Sequence, residues 1–172
     1  MRITEWELVF GEYDAANCFH IEKTDIYKDL SRKGIKSVEF LLYQPEKRKL
    51  LLVEGKNTLP SENKKEVFEE EIMNISCKFM DSLQLACGIW FGGHNKKVKI
   101  PKNGKDFFRY GVQIVFVLVI KKRDGKLTDI ADIIKQQLLQ EHRLWKFEVL
   151  VLNENQAYRK GLVVLDNNLK HG

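Results

Sequence analysis

The sequence predicts an α/β fold, a mixed central β-sheet flanked by helices, and three observations carry that expectation. Two apolar runs rich in strand formers, residues 38–43 and 50–53, flank the polar connection Gln44-Pro45-Glu46-Lys47-Arg48-Lys49 and read as a β-hairpin. Phe68, Ile72, Ile75, Phe79, Leu83 and Ala86 recur at steps of three and four within residues 63–87, the spacing of one helix face. Residues 111–120 and 147–152 are strand-length apolar runs separated by a helical pattern, and a strand–helix–strand connection makes parallel neighbours. An antiparallel hairpin beside a parallel crossover is a mixed sheet.

In chain order, residues 2–10 alternate imperfectly and read as a first strand, with residues 11–17 as the turn after it. A short helix is expected over residues 23–33, stopped by Gly34. After the hairpin, residues 57–62 form a polar loop containing Pro60, and Ser61 can cap the long helix. Lys64, Lys65, Glu66, Glu69, Glu70 and Asn74 make its solvated face, and Lys78, Asp81, Ser82 and Gln84, which could approach a substrate, are read first as packing or surface residues. Ile89-Trp90-Phe91 begins a short apolar piece that Gly92-Gly93 ends. Residues 127–144 read as a second amphipathic helix, residues 153–160 as a helical turn, residues 162–165 as a last short strand and residues 166–172 as a frayed tail.

With 172 residues, 44% hydrophobic and 31% charged, the chain is expected to be a single domain, residues 1–172, with a substantial core. No run of about 18 apolar residues occurs, so no membrane association is expected. The start MRITEWELVF lacks the features of a signal peptide, and a cytoplasmic location follows as an expectation. Cys18, Cys77 and Cys87 are odd in number and widely spaced, which argues against a disulfide framework. No C-x-x-C or H-x-x-x-H pair marks zinc, and no Walker loop or G-x-G-x-x-G is present. The net charge of +5 and pI near 9.0 are compatible with a polyanionic partner.

The hairpin also carries the chemistry. With its centre between Glu46 and Lys47, antiparallel pairing sets Glu39 opposite Glu54, Leu41 opposite Leu52 and Tyr43 opposite Leu50, and alternation puts Lys56 on the face of Glu54. Directly opposed residues have Cβ atoms only about 5 Å apart, where like charges repel. Three things can neutralise the pair: a shared proton, the ammonium of Lys56, or a divalent cation with hard oxygen ligands. The plain alternative is a strand-end ion pair between Glu54 and Lys56, worth under about 1 kcal/mol.

An acidic residue on one strand followed by a hydrophobic strand ending in Glu54-Gly55-Lys56 resembles the active-site core of the PD-(D/E)xK nuclease superfamily, with its restriction-endonuclease-like fold. The resemblance covers the hairpin closely and the following elements by their order. Glu39 stands where the family usually has Asp, and no Pro precedes it. The resemblance implies a metal-dependent nuclease, most readily on DNA, in which Glu39, Glu54 and Lys56 are catalytic. Glu39, Glu54 and the carbonyl of Gly55 would hold Mg²⁺ or Mn²⁺, and Glu22, or else Asp25, would be a supporting acid. It further implies protein partners or a homodimer, such as a subunit of a bacterial restriction or antiphage defence assembly.

Between the long helix and the next strand, Lys96, Lys97, Lys99, Lys102, Lys105 and Arg109 outnumber Asp106, with Phe107, Phe108 and Tyr110 close by. These cations are candidate contacts to a nucleic-acid backbone. The aromatics either stack on bases or pack under the loop, and both readings stand. Beside the nuclease expectation stand two others: a nuclease-like scaffold or nucleic-acid-binding subunit without catalysis, and an unrelated α/β binding protein.

Overall fold

The computed structural model describes residues 1–94, 97–123 and 126–164. Two strands, Ile3–Glu5 (β1) and Leu8–Phe10 (β2), pair antiparallel around Trp6 and Glu7, which corrects the single strand expected over residues 2–10. Trp6 and Glu7 have φ of 55° and 60°, the left-handed pair whose twist suits a two-residue hairpin turn. Asn-Gly ordinarily signals such a turn; Trp-Glu conceals it. Cys18–Phe19 (β3) leads into a 3₁₀ turn over Ile21–Lys23 and then Asp25–Ser31 (α1). The Thr24 hydroxyl accepts the Tyr27 N–H at 3.1 Å, so the cap sets the helix start beyond the expected residue 23.

The hairpin consists of Phe40–Gln44 (β4) and Lys49–Lys56 (β5), joined by a 3₁₀ turn over Pro45–Lys47 and by Arg48 at φ 50°. Leu41 pairs with Leu52 and Tyr43 with Leu50, as alternation requires when both faces are buried. Lys65–Trp90 (α2) buries Phe68, Ile72, Ile75, Phe79, Leu83 and Ala86 and continues through Ile89. The apolar piece at Ile89-Trp90-Phe91 is therefore the end of α2, because Ile89 extends the same helical stripe. Gln113–Ile120 (β6) follows.

The helix expected over residues 127–144 is divided into Leu127–Gln137 (α3) and Leu139–Trp145 (α4). The stripe Ile130, Ile134, Leu138 has no apolar continuation at Glu141 or His142. Nothing holds the axis straight past Leu138 (φ −105°, ψ 32°), and α4 buries no residue. Glu148–Asn153 (β7) and Glu154–Arg159 (α5) complete the order, with Asn153 and Gln156 forming a capping box. The expected strand over residues 162–165 is reduced to a bridge between Val163 and Phe10. Leu165 and the expected tail, residues 166–172, lie outside the described residues.

One sheet has the order β3-β4-β5-β6-β7, antiparallel from β3 to β5 and parallel from β5 to β7; β1 and β2 form a separate pair. Leu41, Leu50, Leu52, Phe116 and Leu118 face α2 and α3, while Phe40, Leu42, Leu51, Val53 and Val117 face the β1–β2 hairpin and α5. The fold is thus α/β, a mixed sheet flanked by helices. No helix among the described residues is long and apolar enough to cross a membrane. Phe79 stacks on Phe116 at 4.7 Å between ring centroids, and Phe116 on Phe147 at 4.1 Å. Phe79→Ala is expected to cost about 3–5 kcal/mol, read as a lowered urea midpoint at unchanged slope.

Candidate active site at the end of the hairpin

The last paired rung of the hairpin is Phe40 with Val53, and Glu39 and Glu54 each lie one position beyond it, the level at which the expected register faces them. Glu39 lies at a bend just before β4, its N–H donating to the Val53 carbonyl at 3.1 Å. That bend is held from α2. Asp81 accepts the Lys36 N–H and Ser82 accepts the Val38 N–H, each at 2.8 Å. Asp81 and Ser82 thus position the segment leading to Glu39 by backbone hydrogen bonds.

Glu54 is fully buried. Its Oε1 accepts from Lys78 Nζ at 2.7 Å and lies 3.7 Å from Lys56 Nζ, while Oε2 is buried without a hydrogen-bond partner. Burial pushes its carboxyl up to about 8; Glu39 adds to the rise, and Lys78 and Lys56 oppose it. Burial likewise raises Glu39 against the pull of Lys78 and of the Trp6 indole N–H, which donates to Glu39 Oε1 at 3.0 Å. Burial works against the charged amine of Lys78, but Glu54, Glu39 and Glu22 outweigh it and hold its pKa above the usual lysine value.

The structure therefore changes which amine is the main partner. Lys56 was the ammonium expected to neutralise the acid pair, yet its closest carboxylate is Glu71 of α2, at 2.9 Å. Lys78, read from the sequence as a packing or surface residue, makes the shortest contact with Glu54. Glu71 and Lys78 lie two helical turns apart on one flank of the apolar stripe, and that spacing was the signal available in the sequence. Trp6 had no such signal.

Glu22, in the 3₁₀ turn before α1, faces the same group. Burial, with Glu39 and Glu5 adding and Lys78 opposing, brings its carboxyl to about 7. Gly55, expected as a carbonyl ligand, also has a packing use. A Cβ built there would stand 3.3 Å from the Phe10 ring and 3.4 Å from Trp6 Cδ1, so the missing side chain lets the β1–β2 hairpin close on β5. The Lys56 carbonyl accepts the Lys121 N–H at 2.8 Å on the β6 side. Alternation turns the Gly55 carbonyl the other way, to the β4 side.

Among the described residues no group of three or more His, Cys, Asp or Glu side chains is placed to hold a metal ion. The candidate donor set is therefore two carboxylates and the Gly55 carbonyl. These are hard oxygens of the kind Mg²⁺ and Mn²⁺ take, with water completing the shell. The unpartnered Oε2 of Glu54 fits that use, and the residues present fit such a cation once Lys78 yields its place.

The expected nucleic-acid contacts lie elsewhere. Lys97, Lys99 and Lys102 line a groove of about 1110 Å³, facing Lys23, Lys28 and Arg32 from the α1 region. Lys105 is exposed, Arg109 is 3.6 Å from Asp106, and Lys96 lies outside the described residues. The loop aromatics divide: Phe107 is buried against Trp90 and Tyr43, Phe108 packs edge-on to Trp90, and Tyr110 is 97% exposed. All three cysteines are free. The chain matches no protein-family model, no curated protein and no solved structure.

Proposed function

We propose that the chain is a metal-dependent nuclease of the PD-(D/E)xK type, hydrolysing phosphodiester bonds of DNA. The observation that carries this is the facing of two buried carboxylates, Glu39 and Glu54, across the end of the hairpin, with one oxygen unpartnered and two amines beside it. Burying like charges together is costly unless an opposite charge is brought to them. The order α1, β4–β5 hairpin, α2 and parallel β6 supports a restriction-endonuclease-like core.

In this reading Glu39, Glu54 and the Gly55 carbonyl hold Mg²⁺ or Mn²⁺. Such a cation supplies charge neutralisation at the scissile phosphate and acidifies a bound water. Lys56 and Lys78 present ammonium groups to the phosphate oxygens, where negative charge develops. Glu22, with its carboxyl at about 7, can take up and release a proton near neutrality. The assignment to a bacterial restriction or antiphage defence assembly, with protein partners or a second copy, rests on the family resemblance.

One observation favours a second reading, a nuclease-like scaffold without catalysis: Lys78 already occupies the place beside Glu54, at 2.7 Å from Oε1. Metal titration separates the two. Mn²⁺ at about a hundred times its dissociation constant adds about 2.7 kcal/mol, expected as a rise of roughly 5–10 °C in melting temperature at this chain length. Glu54→Gln is expected to abolish that rise together with cleavage of duplex or single-stranded DNA. Lys56→Ala is expected to remove cleavage while keeping the metal response. Absence of any Mn²⁺ response in the unaltered protein would leave only the scaffold.

A further inference from the structure

The β1–β2 hairpin carries a second feature of the site. Its tip places Trp6 at φ 55°, a conformation costly for a bulky residue and supplied cheaply by Asn or Gly. The turn alone therefore does not ask for tryptophan. The tip is also fastened. Glu7 takes two contacts from Lys121 Nζ at 3.1 Å, one to its carboxylate and one to its carbonyl, tying the turn to the segment after β6. From below, the bare Cα of Gly55 admits Trp6 and Phe10.

What this fastening holds in place is an indole that is 49% exposed. Its N–H is committed to Glu39, and Lys56 Nζ lies over one face of the ring, 5.2 Å from the centroid, so a base would stack on the face turned away from that amine. The same amine lies 3.7 Å from Glu54 Oε1, so one lysine spans the ring and the acid pair. A single nucleotide, with a flat base at one end and a phosphate at the other, covers that reach.

We propose that Trp6 is a stacking platform for one unpaired nucleobase of a single-stranded polynucleotide, holding the strand so that the neighbouring phosphate meets Glu39 and Glu54. This rests on the nuclease reading for the position of the phosphate. It goes beyond that reading by assigning the base contact to the N-terminal hairpin, away from the basic loop after α2. Stacking on an aromatic face tolerates any base, so the platform grips without reading sequence.

The test measures binding, without metal, of a fluorescently labelled thymidine octamer and of the same octamer made abasic. The unaltered protein is expected to bind the base-bearing strand roughly tenfold more tightly than the abasic one, with quenching of tryptophan emission. Trp6→Leu should erase that preference while binding the abasic strand as before. Trp6→Phe, which keeps a ring and loses the N–H to Glu39, should retain most of it. Equal binding of the two octamers by the unaltered protein, a preference that survives Trp6→Leu, or no binding of either strand would overturn the platform. The nuclease reading is judged separately, by adding Mn²⁺ to the same octamers. Binding with the base preference but no cleavage sinks that reading and leaves the platform standing, whereas cleavage without the preference does the reverse.

Discussion

Freed of divalent metal, the protein is expected to lose stability as pH rises from about 5 to about 8, and to regain it when Mn²⁺ is supplied. The sign follows from the acids. In the fold, Glu54 keeps its proton up to about 8 and Glu22 up to about 7, against an ordinary glutamate value of 4.5, and Glu39 is raised too. The folded state therefore binds more protons than the unfolded state across this window, and stability falls with rising pH. Each unit of displacement corresponds to about 1.4 kcal/mol, so Glu54 alone makes this a large effect. Lys78, held above the usual lysine value, stays charged throughout and adds no slope. Metal binding needs ionised carboxylates and so expels these protons. The affinity for Mn²⁺ should climb about tenfold per pH unit for each proton released. Melting temperatures with EDTA and with Mn²⁺ across this range give both slopes. A flat metal-free profile would show that the acids are not protonated in the fold, and a pH-independent Mn²⁺ response would place the metal away from them.

Lys78→Met is the second large effect. Removing one partner of a buried ion pair strands the other, and since the Glu54 carboxyl stands at about 8 the loss is expected to grow as pH rises through and above that value. At pH 6 the cost should shrink, because Glu54 then meets its burial by holding a proton. Mn²⁺ should rescue this variant more than the unaltered protein, since the cation no longer has to displace the amine. In a double-mutant cycle, Glu54→Gln with Lys78→Met should cost less than the sum of the single changes by about 1–3 kcal/mol. Additive losses, equal at the two pH values, would show that the 2.7 Å contact carries little energy.

The parts legible in the sequence were those with a short period. Alternation over the hairpin set Leu41 against Leu52 and, one position beyond Phe40 and Val53, the level of Glu39 and Glu54. The three-and-four spacing from Phe68 to Ala86 gave α2 its buried face. The turn at Trp6 and Glu7 escaped because neither residue is a turn former. The break at Leu138 escaped because Leu139, Leu144 and Trp145 prolong an apolar composition while the stripe they would have to continue has ended.

By itself, then, the chain determined the mixed α/β sheet, the pairing across the hairpin and the meeting of two acids at its end. Those are local consequences of strand alternation and helical spacing. Only the tertiary structure decided that Lys78, rather than Lys56, makes the closest contact with Glu54, that Trp6 hydrogen-bonds to Glu39, and that Gly55 serves the hairpin packed behind it. Each of these joins residues far apart in the chain. Their contact depends on how α2 and the N-terminal hairpin settle on opposite faces of one sheet, and no short-range pattern encodes that.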